Sequence, residues 1–142
     1  MKKTILLLTF LLPVLCVIAQ DTWKVKLNNK TLVATNETDN KQYVKKVTTK
    51  EWKKSGSLEV IYNREEEMRD GWIRTFYLID EMGNEVIQKD STDKLKIPLK
   101  ELRKRFAGKK KIDIYTIVRP TDPEVAMRVR IRRVLLCTLE LP

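Results

Sequence analysis

Two stretches of this 142-residue chain follow the same order of local signals, and that recurrence constrains the fold more than any single motif. Trp23-Lys24-Val25-Lys26-Leu27 alternates apolar and charged side chains, as a half-buried strand does. Asn28-Asn29 follows, a pair that tolerates the left-handed backbone of a tight hairpin turn, and residues 31–35 return as the second strand. A polar loop (36–41), a short strand (42–47), a helical turn opened by the capping box Thr48-Thr49-Lys50-Glu51 and a strand at 57–62 complete the unit. In that strand Leu58, Val60 and Tyr62 share a face, and Gly56 reads as a left-handed cap on the helix before it.

The second stretch repeats the order. Residues 72–79 form the longest strand, 80–84 a turn, 85–89 the return strand and 94–97 a short extended piece ahead of Pro98. Pro98 starts a helix with Leu99, Leu102 and Phe106 on one face and Gly108 just past its end. Residues 111–118 alternate again. Trp23 matches Trp72, Thr38-Asp39 matches Thr92-Asp93, Lys50-Glu51-Trp52 matches Lys100-Glu101-Leu102, and Gly56 matches Gly108. Residues 57–62 match 111–116 with the same parity of apolar and acidic positions. Asp122-Pro123 caps a short helical turn, and a last strand spans about 128–139. Nine short strands with turn signals between them predict an all-β fold, a β-sandwich or Greek-key barrel, with the short helices closing its ends.

The first 19 residues stand outside this pattern. Lys2 and Lys3, an apolar run broken at Pro13, and Val17-Ile18-Ala19 before Gln20 predict a secretory signal peptide, leaving one domain over residues 20–142. The apolar run of 16 residues is short of the roughly 20 that a spanning helix needs, so no transmembrane span is expected in the mature chain. Cys16 raises the alternative of a lipid-modified cysteine, but that signal wants a small residue just before it, where Leu15 stands. Cleavage leaves Cys137 alone. An exported domain with one thiol has no internal disulfide, and its stability must come from its core. Cys137 lies in an apolar strand-like run and reads as a buried small hydrophobe.

The chemistry that these residues exclude is broad. The chain has no His and two Cys, which removes the usual general base and any Cys/His zinc site. It has no nucleophile elbow and no phosphate loop, and nothing in the linear sequence pairs two carboxylates for glycoside hydrolysis. Glu65, Glu66, Glu67 and Asp70 lack the ligand alternation of a calcium loop. The expectation is a non-enzymatic protein without catalytic residues, metal or cofactor. Asn36-Glu37-Thr38 matches a glycosylation sequon, relevant only in a host that uses such sites.

Charge supplies the positive signal. Residues 21–90 hold 13 basic and 13 acidic side chains, whereas residues 91–142 hold 14 and 6. Within the latter, Lys100, Arg103, Lys104, Arg105, Lys109, Lys110 and Lys111 are opposed by Glu101 alone between 100 and 111. Arg128, Arg130 and Arg132 alternate and predict a guanidinium ladder on one face of the last strand. Both groups are candidate anion-binding residues, for an anionic envelope component or a protein partner. Trp23 and Trp72 sit at strand starts and read as core, whereas Trp52, on a short polar helix, is the candidate for stacking on a glycan. Export argues against nucleic acid as the partner of this basic chain.

The lysine start and Ala19-Gln20, the Asp21-Thr22-Trp23-Lys24-Val25 opening, Lys53-Lys54-Ser55-Gly56-Ser57-Leu58 and the ending from Arg130-Ile131-Arg132-Arg133-Val134 to Leu139 resemble a loose group of small exported proteins of Gram-negative, Bacteroidota-type bacteria. The resemblance covers most of the mature chain. It implies a periplasmic or secreted location and supplies no site residues. The function expected from sequence is therefore an exported binding or scaffolding protein of the cell envelope. The alternative is a carbohydrate-binding module or a weak glycan-active enzyme.

Overall fold

The computed structural model describes residues 21–36, 42–63, 70–90 and 92–142. The segment expected to be a signal peptide with its Cys16, the Thr38-Asp39 half of one repeat match, the sequon beyond Asn36, and Glu65, Glu66 and Glu67 lie outside the described residues.

Among the described residues nine strands form two open sheets, with three short helices. The strands are β1 (Thr22–Leu27), β2 (Lys30–Asn36), β3 (Val44–Lys46), β4 (Ser57–Asn63), β5 (Trp72–Ile79), β6 (Glu85–Lys89), β7 (Lys94–Pro98), β8 (Lys111–Pro120) and β9 (Arg133–Glu140). Helix α1 (Thr49–Lys53) follows β3, α2 (Leu99–Arg105) follows β7, and α3 (Pro123–Arg128) joins β8 to β9. The arrangement is sandwich-like, and the barrel alternative falls because neither sheet closes.

The sheet orders are β2-β1-β4-β7 and β3-β9-β8-β5-β6. Each half of the chain thus supplies one three-stranded antiparallel unit, β2-β1-β4 or β6-β5-β8. The short strands are exchanged. β7, from the second half, borders β4 in the first sheet, and β3, from the first half, lies in the second. β9 breaks the symmetry: it enters between β8 and β3, antiparallel to the former and parallel to the latter.

Both hairpins carry a bulge at the same place. Val25 faces Val33 while Lys26 faces Thr31, leaving Leu32 extra; Leu78 faces Ile87 while Ile79 faces Glu85, leaving Val86 extra. This register corrects one repeat match. Val25–Val60 corresponds to Leu78–Ile114, so the counterpart of Trp23 is Phe76 rather than Trp72. The 57–62 and 111–116 match stands, because Leu58, Val60, Ile112 and Ile114 all point into the core without exposure.

The core lies between the sheets. Trp23, Val25, Leu58 and Val60 meet Phe76, Leu78, Ile114 and Cys137, and Leu99, Leu102 and Phe106 enter from α2. A third bulge, at Leu136, lets two successive residues of β9, Leu136 and Cys137, both be buried. Burial pushes the Cys137 thiol up to about 12, so it packs as a hydrophobe.

Local signals explain the turns. Asn28 and Asn29 adopt φ of 52° and 67°, the backbone of a two-residue hairpin turn. Thr48 caps α1, and its N–H donates to the Glu51 carboxylate at 3.0 Å. Asp122 caps α3 with Pro123 at its first position, while Pro98 caps α2 rather than opening its first turn. Gly56 is corrected: its backbone is not left-handed, and α1 ends on extended Lys54. Glycine is required there by proximity, since a Cβ would sit 1.9 Å from Asn28 Oδ1.

A charged clasp joins the sheets at the far end from α1 and α2. Arg74 of β5, 2% exposed, lies 3.4 Å over the Tyr62 ring of β4 and donates to Thr116 Oγ1 of β8 at 3.0 Å. Asp93 and Asp21 approach its guanidinium at 3.4 and 3.9 Å.

Candidate functional site: a basic groove beside α1 and α2

The β1–β2 turn, the start of β4, the end of β7 and the start of β8 all come to one end of the sandwich, and α1 and α2 lie across it. Asn28 Nδ2 donates to the Glu51 carbonyl at 2.9 Å, and the Leu99 N–H donates to the Gly56 carbonyl at 2.9 Å. The two helices are thereby fixed to the hairpin turn and to β4. The end of the chain closes the arrangement, because the Leu141 N–H donates to the Lys110 carbonyl at 2.8 Å.

Between these parts lies a groove of about 400 Å³. Trp52, Phe106, Leu141 and Pro142 supply its apolar lining, and Arg103, Lys109 and Lys110 supply cationic groups. Trp52 is half-buried against the core, as its helix position predicts. The sequence puts Phe106 on one face of its helix with Leu99 and Leu102 and assigns Leu141 and Pro142 no role. Phe106 is indeed buried, and it reaches the groove as well. Residues that follow the last strand carry no periodicity from which to place them.

The seven-residue basic cluster does not act as one face, and this corrects the sequence expectation. Arg103 turns inward, where Nη1 donates to the carbonyls of Trp52 at 2.5 Å and Lys54 at 3.2 Å. It satisfies carbonyls that the end of α1 leaves open, and its other guanidinium hydrogens are not taken by those bonds. Lys109 pairs with Asp80 at 2.7 Å, and Lys111 pairs with Asp113 at 2.7 Å. Those bonds raise both ammonium pKa values. Asp80 is held well below the usual carboxylate range, first by Lys109, then by Asn84. Lys100, Lys104, Arg105 and Lys110 are exposed and make no ion pair among the described residues. The available positive charge is this set, on α2 and the loop after it.

The arginine ladder is also corrected. Arg128 ends α3, and Arg130 and Arg132 precede the first residue of β9, so the three do not alternate on a strand. They stand at the opposite end of β8, whose ten residues span about 30 Å. Arg133 does belong to β9 and bonds Glu85 at 2.6 Å beneath the rings of Tyr77 and Tyr115. Asp113 takes Thr138 and Lys111. Trp23 is core, 3% exposed, with its ring 6.0 Å from that of Tyr62, and Trp72 is half-buried.

Among the described residues no group of three or more Cys, Asp or Glu could hold a metal ion, and no helix is long and apolar enough to cross a membrane. No known protein family, curated protein or solved structure matches the chain. The groove is therefore read from its own chemistry. Its aromatic and apolar lining suits a ring or chain of carbon atoms, and its cations suit a carboxylate, sulfate or phosphate on the same molecule.

Proposed function

We propose that the protein is an exported, non-enzymatic binding protein of the cell envelope, and that its ligand is an anionic polymer seated in the groove beside α1 and α2. The observation that carries this reading is the meeting in one groove of the half-buried Trp52 with Lys110 and with Arg103, whose guanidinium keeps hydrogens not taken by the α1 carbonyls. It lies next to Lys100, Lys104 and Arg105, which are exposed and make no ion pair among the described residues. The Lys2-Lys3 start and apolar run up to Ala19 support export. A second reading, binding of a neutral glycan by stacking, is favoured by Trp52 alone.

The test is titration calorimetry against anionic and neutral envelope glycans at low and physiological salt. The variant K100E/K104E/R105E/K110E reverses charges that hold no ion pair among the described residues, and it should weaken binding to anionic members by at least about tenfold. Binding that ignores this variant but falls with W52A, at unchanged thermal stability, would favour the neutral-glycan reading. Binding only at low salt, regardless of chemistry, would make the charge a solvated surface and end the proposal.

A further inference from the structure

We propose that the segment between β8 and β9, residues 121–132, docks on the surface of an anionic phospholipid bilayer. Five large hydrophobic side chains are exposed among the described residues, and three of them fall within this short stretch: Val125 at 40%, Met127 at 81% and Ile131 at 43%. Within the stretch only Ala126 and Val129 are half-buried; the rest is exposed. Arg128, Arg130 and Arg132 alternate with Val129 and Ile131, and the side chains of the three make no ion pair or hydrogen bond among the described residues. The neighbouring arginines differ, because Arg133 is bound to Glu85 and Arg119 lies 3.9 Å from Asp90.

The segment is presented on a fixed base. The Thr121 N–H and hydroxyl both donate to the Gly71 carbonyl, at 2.8 and 3.1 Å, and Pro120 is buried. Asp122 accepts the Glu124 N–H at 2.8 Å, so one of the two acids here is committed to the cap of α3. Both acids precede the arginines, and the sequence from Met127 to Arg132 contains none.

The pattern selects the occupant. Here single apolar tips are interleaved with guanidinium groups. A bilayer interface accepts that arrangement: apolar tips enter the acyl boundary while guanidiniums bind phosphate oxygens above it. Three arginines near an anionic leaflet strengthen adsorption by on the order of a hundredfold together. The site is independent of the groove, which lies at the other end of β8.

The test is co-sedimentation with vesicles containing about a third phosphatidylglycerol, against pure phosphatidylcholine vesicles, at physiological salt. The chain from Gln20 onward is used, since every strand, helix and core residue described lies within it; cooperative thermal unfolding is verified first. Binding to the anionic vesicles is expected. It should fall at least about tenfold in M127D and in I131D, and disappear in R128E/R130E/R132E, all at exposed positions. K100E/K104E/R105E/K110E should bind vesicles as the parent does. Four outcomes overturn the proposal: no vesicle binding, binding unchanged by M127D and I131D, loss of binding in the α2 variant, or capture of an acidic protein rather than lipid by the 121–132 segment.

Discussion

Replacing Arg74 by Met should destabilise the sandwich by about 2–3 kcal/mol. The guanidinium is 2% exposed and links the two sheets through Tyr62, Thr116, Asp93 and Asp21. A desolvated cation over an aromatic ring is worth about 2 kcal/mol, and a hydrogen bond from a charged donor about 1.5–3 kcal/mol. Against these stands the cost of dehydrating the guanidinium, which Met does not incur. Removing one partner of a fully buried pair usually costs about 3–5 kcal/mol, because a charge is left unpaired. Here the side chains of Asp93 and Asp21 are 44% and 19% accessible, so water takes over part of the lost interaction and the lower figure follows. Urea unfolding followed by tryptophan fluorescence reads the change, with Trp23 buried near Tyr62 as reporter. At a slope of about 2 kcal/mol per molar, the midpoint should fall by roughly 1–1.5 M. Arg74→Lys keeps the charge and loses the planar stack, so it should lie between the two. A Met variant within about 0.5 kcal/mol of the parent, or more stable than it, would refute the reasoning by showing that dehydration cancels the clasp.

Other outcomes follow from the same contacts. Glu51 is held down to about 2 by the Thr48 N–H and by Lys30, so its contribution is present above the ordinary value of 4.5 and fades as the pH falls from there toward 2. The stability gap between parent and E51A in urea melts should close over that window; a gap that stays constant would show that the carboxylate charge is not involved. Gly56→Ala should cost about 1–3 kcal/mol, since its Cβ must displace the Asn28 amide that bonds Glu51. The double variant N28G/G56A should recover part of that loss, because Asn28 has positive φ, and additive losses would deny the collision. Cys137 in the chain from Gln20 should resist a disulfide reagent at pH 8 until denaturant is added, and prompt native labelling would contradict its burial.

The order of elements was legible because each is announced locally. The Asn28-Asn29 turn, the Thr48–Glu51 box and the Asp122-Pro123 start are decided by a few neighbouring residues. Sheet membership was not legible, since a repeat defines units but says nothing of which sheet receives β3 or β7. The Arg128–Arg132 stretch shows the limit of periodicity. Alternation fits a strand, but β9 pairs with β8 only as far back as Arg133 opposite Ile117, and the preceding residues have no partner strand. The groove was half legible. Trp52 and the basic run were visible, but the acids that engage Lys109 and Lys111 arrive from a distant turn and a neighbouring strand position, and Arg103 is claimed by the end of α1. Long-range pairing decides which charges remain available.

The position of β9 carries a consequence for how the molecule comes to exist. Val44 finds its partner in Thr138, close to the end of the chain, and β7 must arrive before the first sheet is complete. A polypeptide that emerges amino-terminus first can assemble β2-β1-β4 early, yet β3 has no seat until β9 is available. Until then the flank of β8 is an open edge, ready to pair with another chain. β9 acts as a latch: in one step it seals the flank of β8 and gives β3 its seat.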